Sequence, residues 1–209
     1  MNIRFYNSLT NSVEQFQPIQ EGKVSMYVCG ATVYNYPHIG NMRPVVVFDT
    51  LRRFFNYVGY DVTYVSNFTD VDDKIIKEAE KQKKTEKELT EFFIGEYQKT
   101  TLQIGSLLPS ISPKVTEYID KIIAYVAKLV ELDSAYVVDG DVFFRISKIA
   151  DYGCLSKINI KDLLIGARIE ENDKKESPLD FVLWKKTESG INWDSPWGKG
   201  RPGWHTECC

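Results

Sequence analysis

Cys29 and Gly30 end an apolar run that starts near Val24, and His38, Gly40 and Asn41 follow shortly after Pro37. An imidazole and a carboxamide can both donate hydrogen bonds, and a glycine between them lets a flat ligand approach the backbone. Amide groups in the first turn of a helix add attraction for negative charge. An apolar run that breaks into Gly, Asn and Pro and restarts with helical spacing reads as strand, turn, helix. In open α/β sheets ligands bind at such a point, outside the carboxyl end of the strand. The chemistry this arrangement suits is the binding of a phosphate, such as that of ATP. Asn35 is the expected helix cap and Pro37 the first-turn proline, so that His38 and Asn41 project beside Gly40; a lone histidine near a helix start is otherwise more often a capping or packing residue than a catalyst.

The flanking elements must hold these groups together. Val45, Val47, Phe48, Leu51, Phe54, Phe55 and Val58 recur at helical spacing, closed by Gly59, so a helix running to Val58 is expected. Pro44 falls inside it, which predicts a separate first turn or a bend. The stretch from Asp61 to Asp70 is rich in β-branched and aromatic residues and reads as a second buried strand. The resulting β-α-β unit is expected to be parallel and right-handed, bringing Cys29-Gly30 beside Asn67–Asp70. Thr69, Asp70, Asp72 and Asp73 then join the site, unless the aspartates cap the next helix.

Further along, Lys74 to Lys84 mixes acids and bases as a solvated helix would, and Thr85 to Glu88 has the form of a capping box. A well-patterned helix is expected to start at Ser112-Pro113 and to turn Val115, Tyr118, Ile119, Ile122, Ile123, Val126, Leu129 and Val130 inward. Asp139-Gly140 between two β-rich runs predicts a tight hairpin, so antiparallel structure replaces parallel there. Residues 170–176 read as a surface loop, Asp180 to Trp184 as a strand, and Gly198 to Gly203 as a constrained loop. No internal repeat is seen. The closing Trp204-His205-Thr206-Glu207-Cys208 looks like the start of a helix, as expected of the front part of a larger protein.

The 209 residues are 43% hydrophobic and 26% charged, enough for a sizeable core in an ordinary water-soluble composition. A net charge of -3 argues against indiscriminate coating of nucleic acid, though a local basic patch could still meet an RNA. No apolar run is long enough to span a membrane and no signal peptide leads the chain, so a cytoplasmic location is expected. Cys29, Cys154, Cys208 and Cys209 are then free thiols or metal ligands rather than disulfides. There is no C-x-x-C pair, so a metal site would need distant stretches.

Five stretches together resemble the cysteinyl-tRNA synthetase family of class I aminoacyl-tRNA synthetases, from one end of the chain to the other. They are Met26 to Tyr34, Pro37 to Asn41, Asn67 to Lys74, Asp180 to Lys185, and Ser195 to Cys208. The resemblance implies an α/β fold, a Rossmann-like parallel-sheet catalytic domain interrupted by a connective α+β insertion. Its first half would occupy 1–110, the insertion 111–200, and a return to the catalytic domain 201–209. The family's HIGH signature corresponds to His38-Ile39-Gly40-Asn41, with Asn41 where the family's final histidine stands. The resemblance implies that His38 and Asn41 serve the phosphates of ATP with Gly40 under the adenine. Gly30, Thr69, Trp204 and His205 would line the amino-acid pocket. Cys29 and Cys208 would share zinc with two ligands beyond Cys209, and magnesium would accompany ATP. The implied activity is cysteine activation to cysteinyl-adenylate and transfer to tRNA(Cys), by a monomer. A ligase that places activated cysteine on an amino sugar would share these motifs, and a non-catalytic fragment or binding module is a further alternative.

Overall fold

A computed structural model describes residues 2–157, 174–203 and 206. In chain order the strands and helices are β1 (Arg4–Asn7), β2 (Ser12–Gln15), β3 (Lys23–Tyr27), α1 (Ile39–Tyr57), β4 (Asp61–Val65), α2 (Asp73–Gln82) and α3 (Glu86–Gln103). They continue with α4 (Ile119–Glu131), β5 (Ala135–Val138), β6 (Asp141–Phe144), β7 (Phe181–Lys186) and β8 (Gly200–Pro202). The described residues form two compact units, one spanning 17–119 and the other 2–16 with 120–206.

In the first unit β3 and β4 pair in parallel, Lys23 opposite Asp61 through Tyr27 opposite Val65, as the β-α-β reading expects. The pairing continues past the strand ends: Thr32 bridges Thr69 in parallel. On the other side of β4, Val65 bridges Ile111 and Phe68 bridges Lys114, also in parallel. The carbonyls of Tyr64, Ile111 and Pro113 accept from Ser110, Ser66 and Phe68, and Val115 N–H donates to Phe68. Ser112-Pro113 therefore lies in an extended third segment of the sheet rather than starting a helix. A single 3-10 turn, Val115–Glu117, precedes α4. Proline misled the reading because a residue without an N–H is as acceptable on a sheet edge as in a helix's first turn.

Helix α1 also departs from expectation. Its cap is His38, not Asn35; the Asn35 carboxamide instead accepts from Tyr36 N–H (2.8 Å), and Pro37 precedes the cap. The helix is continuous through Pro44. Its inward face carries Met42, Asp49, Arg52 and Phe55, while the apolar Val47 and Phe54 are exposed. The Asp49–Arg52 ion pair makes that burial tolerable. Arg53 also donates to Asp49, Arg52 donates to the carbonyl of Leu108, and Arg53 to that of Gly105. Val58 and Gly59 close the helix, Gly59 at φ +96 where a side chain would be strained.

Asp72 is the N-cap of α2, its carboxylate accepting from Lys74 N–H at 2.7 Å, so one of the aspartates does cap the helix. Asp70 is buried and accepts from the backbone N–H (3.0 Å) and hydroxyl (2.6 Å) of Thr116, which ties the third segment to the end of β4. The Thr85–Glu88 capping box opens α3 as expected. Val33, Phe68, Ile75, Ala79, Leu89, Phe93 and Ile94 form one buried cluster, with Tyr34 and Tyr97 packed against it. The core of this unit thus lies directly behind the loop that follows β3.

The second unit is antiparallel, with sheet order β5-β6-β7-β8. The β5–β6 hairpin turns at Asp139 (φ 52) and Gly140 (φ 89), the paired positive angles of the expected tight turn. The buried Asp180 carboxylate accepts from Tyr136 O–H, Ile146 N–H and Ser177 N–H. Burial and the Asp180 charge push the Tyr136 hydroxyl up to about 12. The expected loop at Gly198 to Gly203 contains β8, which pairs with β7 at Trp184 to Lys186. Glycine is needed there because a Cβ at Gly200 would lie 2.4 Å from the Trp184 indole nitrogen. Residues 158–164 and most of the expected loop at 170–176 fall outside the described residues. No described helix is long and apolar enough to cross a membrane.

Candidate functional site

The loop after β3 and the residues after β4 meet at the same end of the sheet. Gly30 N–H donates to the Asn67 side-chain oxygen (2.8 Å), and Thr69 N–H donates to the Ala31 carbonyl (3.1 Å). Tyr27 O–H also reaches the Asn67 oxygen (3.1 Å), and the Asn67 amide donates to the Thr69 hydroxyl (3.4 Å). Asn67 is buried, so this carboxamide is the clasp between the two strand ends. Gly30 is required at the junction: a Cβ there would stand 1.5 Å from the Asn67 carbonyl oxygen. Sequence reading placed Asn67 at this sheet edge without a role. A carboxamide at the end of a buried strand is the signal, because it can satisfy backbone donors that the ladder leaves behind.

A cavity of about 300 Å³ opens beside the junction, lined by 30–37, Asn41, Lys74, Phe93 and Tyr97. Of the residues expected to bind ligands, Gly30 and Asn41 line it, whereas His38, Gly40 and Thr69 are not in its lining. Thr69 is buried, with its backbone engaged by the loop. His38 is exposed at the start of α1, and its Nδ1 accepts from Gly40 N–H (3.1 Å). That bond leaves Nε2 as the protonated nitrogen of the neutral ring, a donor facing away from the cap. A methyl on Gly40 would lie 3.3 Å from Nδ1, so the glycine makes room for the capping ring itself. Asn41 returns the bond: its side-chain oxygen accepts from His38 N–H (2.9 Å), leaving its amide hydrogens for a ligand.

Lys74, read from the sequence as part of a solvated helix, lines the cavity with its ammonium 5.6 Å from the Tyr34 ring centre. Tyr36 meets Phe93 edge to face at 5.4 Å, so the loop rests on α3 through aromatic contact. Burial pushes the Tyr97 hydroxyl up to about 12, so it stays neutral at the cavity wall. Phe93 and Tyr97 follow the capping box at helical spacing and read as helix-face residues, while Tyr34 and Tyr36 fall in the turn after the first strand; nothing in their spacing points to a cavity.

Cys29, two residues after β3, is exposed. Trp204, His205 and Cys208 lie outside the described residues. Among the described residues no group of three or more His, Cys, Asp or Glu could hold a metal ion. The thiol at Cys29 fits a zinc site as one soft ligand, and the described residues supply no complete set around it.

The comparisons with known proteins agree with the motifs. Residues 15–209 match the family model described as tRNA synthetases class I (C) catalytic domain. The cysteine–tRNA ligase of Caldicellulosiruptor saccharolyticus is 55% identical over 207 residues, covering 99% of this chain and 44% of that protein. The cysteine–tRNA ligase of Exiguobacterium sibiricum is 56% identical over 207 residues, again covering 99% and 44%. The corresponding protein of Anoxybacillus flavithermus is 53% identical over 209 residues, covering 100% of this chain and 45% of its own length. The chain thus spans less than half the length of these curated relatives. With the motifs in order, a parallel β-α-β unit holding them and the family model matched over nearly all the chain, the chain belongs to the class I (C) tRNA synthetase catalytic domains.

Proposed function

We propose that this chain carries the cysteine-activating part of a cysteine–tRNA ligase. The reading is supported above all by the junction at the strand ends, where Gly30, Asn67 and Thr69 meet beside a helix whose first turn presents His38 and Asn41. In the first step a cysteine carboxylate oxygen attacks the α-phosphorus of ATP. A bond forms between them, the bond from that phosphorus to the bridging oxygen breaks, and pyrophosphate leaves with its electron pair. In the second step a terminal ribose hydroxyl of tRNA(Cys) attacks the acyl carbon, AMP departs, and the hydroxyl proton is released. His38 Nε2–H, the Asn41 amide and the first-turn N–H groups donate to phosphate oxygens as charge develops on them. Gly40 lets the nucleotide approach the backbone. Gly30 and Thr69, with Trp204 and His205, form the amino-acid side of the site.

Zinc fits the soft donors Cys29 and Cys208, and when bound it would supply a Lewis acid that prefers a thiolate to a hydroxyl. Magnesium accompanies ATP as part of the substrate. The protein acts in the cytoplasm as a monomer. The relatives described above are named as tRNA ligases, which favours tRNA over an amino sugar as acceptor. The test is cysteine-dependent exchange of pyrophosphate into ATP by the full-length protein bearing this chain, followed by charging of tRNA(Cys). Exchange driven by cysteine but not serine is expected, and the absence of exchange overturns the reading.

A further inference from the structure

We propose that Lys74 is a phosphate-binding residue of the cavity beside α1, supplying the positive charge that Asn41 does not. The inference rests on the reading of the site as an ATP site and adds a residue to it. Asn41 is neutral, and its side-chain oxygen is already committed to the His38 N–H, so it offers a ligand only its amide hydrogens. A triphosphate keeps net negative charge even with its magnesium, and neutral donors alone leave that charge uncompensated. Among the described residues that line the cavity, Lys74 is the one that carries a charge.

Lys74 is exposed, and the fold sets where its backbone stands in the cavity lining. Asp72 caps α2 through the Lys74 N–H, which fixes the first turn of that helix. The Tyr34 ring, packed against the buried cluster, lies 5.6 Å from the ammonium. A ring face attracts a cation without consuming any of its N–H donors, so the three hydrogens remain for phosphate oxygens. Tyr34 and Tyr36 come from the loop that lines the cavity, so the ring beside the ammonium belongs to the cavity wall. An ammonium suits this task as a point charge, which needs no fixed fork geometry.

The experiment compares Lys74→Gln and Lys74→Arg with wild type in the full-length protein bearing this chain. Equilibrium ATP binding, the KM values of pyrophosphate exchange and the urea midpoint are each measured. Lys74→Gln should weaken ATP binding and raise KM for ATP about tenfold or more, the scale of one charge-assisted hydrogen bond. KM for cysteine and the urea midpoint should hold, and Lys74→Arg should recover most of the loss. The inference is overturned if Lys74→Gln binds ATP like wild type, if wild type binds no ATP, or if arginine fails to rescue. It is also overturned if exchange is untouched and only transfer to tRNA slows, which would assign the lysine to the RNA end. Should wild type bind ATP through Lys74 yet show no cysteine-dependent exchange, the cysteine reading falls and this one stands.

Discussion

In the proposed function the two ring nitrogens of His38 do different work, and that division decides how its mutants should be read. Nδ1 accepts from Gly40 N–H and caps α1, while Nε2–H is left for chemistry. His38→Ala removes both and should cost about 1 kcal/mol of stability through the lost cap. His38→Asn keeps an acceptor of the kind favoured at helix starts but has no donor at the Nε2 position. We expect both variants to lower the exchange rate by roughly 100-fold, with only the alanine variant shifting the urea midpoint. Exchange at wild-type rate in His38→Asn would reduce the imidazole to its capping role. Gly30 is constrained by space: a methyl 1.5 Å from the Asn67 carbonyl oxygen cannot be accommodated without moving backbone. Gly30→Ala should therefore separate the two strand ends, destabilising the unit by about 3 kcal/mol or more in a urea titration.

Helix α1 shows how an element can be correctly assigned and wrongly oriented. Its apolar periodicity suggested that Val47 and Phe54 face inward, yet both are exposed and Asp49 and Arg52 are buried. The inward charges are paired with each other and reach the chain after α3 through the Leu108 carbonyl. Burial by itself would raise the Asp49 carboxyl, but hydrogen bonds from Arg52 and Arg53 outweigh it and hold it below its ordinary value of 3.8. A carboxyl depressed in the folded state contributes stability that is present above its unfolded value and is lost as pH falls through its folded value. Asp49→Asn should then destabilise the unit by about 3 kcal/mol near neutral pH, because it leaves a buried guanidinium without its counter-charge. Below about pH 4 the gap from wild type should narrow as the wild-type carboxyl takes up protons. Urea midpoints measured across pH check the sign, and a gap that widened in acid would contradict the assignment.

Across the whole molecule, the question is how distant stretches are combined. Cys29 follows β3, and Cys208 lies near the other end of the sequence, outside the described residues. If they share a zinc ion, metal analysis of the full-length protein should find it lost in Cys29→Ser and Cys208→Ser and retained in Cys209→Ser. In the helix that the sequence leads one to expect there, neighbours would point about 100° apart, which sets Cys209 off from Cys208. Zinc retained in Cys208→Ser but lost in Cys209→Ser would reverse the assignment. Affinity should fall with acid, since both sulfurs must be thiolates to bind.

Local order in the chain was enough for several conclusions. The parallel β3-α1-β4 unit, the Thr85–Glu88 capping box, the Asp139-Gly140 turn and the family were all legible from residue types at short spacing. Each rests on interactions between neighbours in sequence, or on a crossover whose handedness is fixed by chain chirality. The third sheet segment at 110–115, the buried face of α1, the Asn67 clasp and the place of Lys74 at the cavity were not. Each depends on a partner 37 or more residues away or on which of two plausible faces finds a complementary surface, as Asp70 does with Thr116. Hydrophobic spacing ranks faces by composition alone. Tertiary packing can reverse that ranking, because a paired and hydrogen-bonded charge tolerates burial that an isolated one does not.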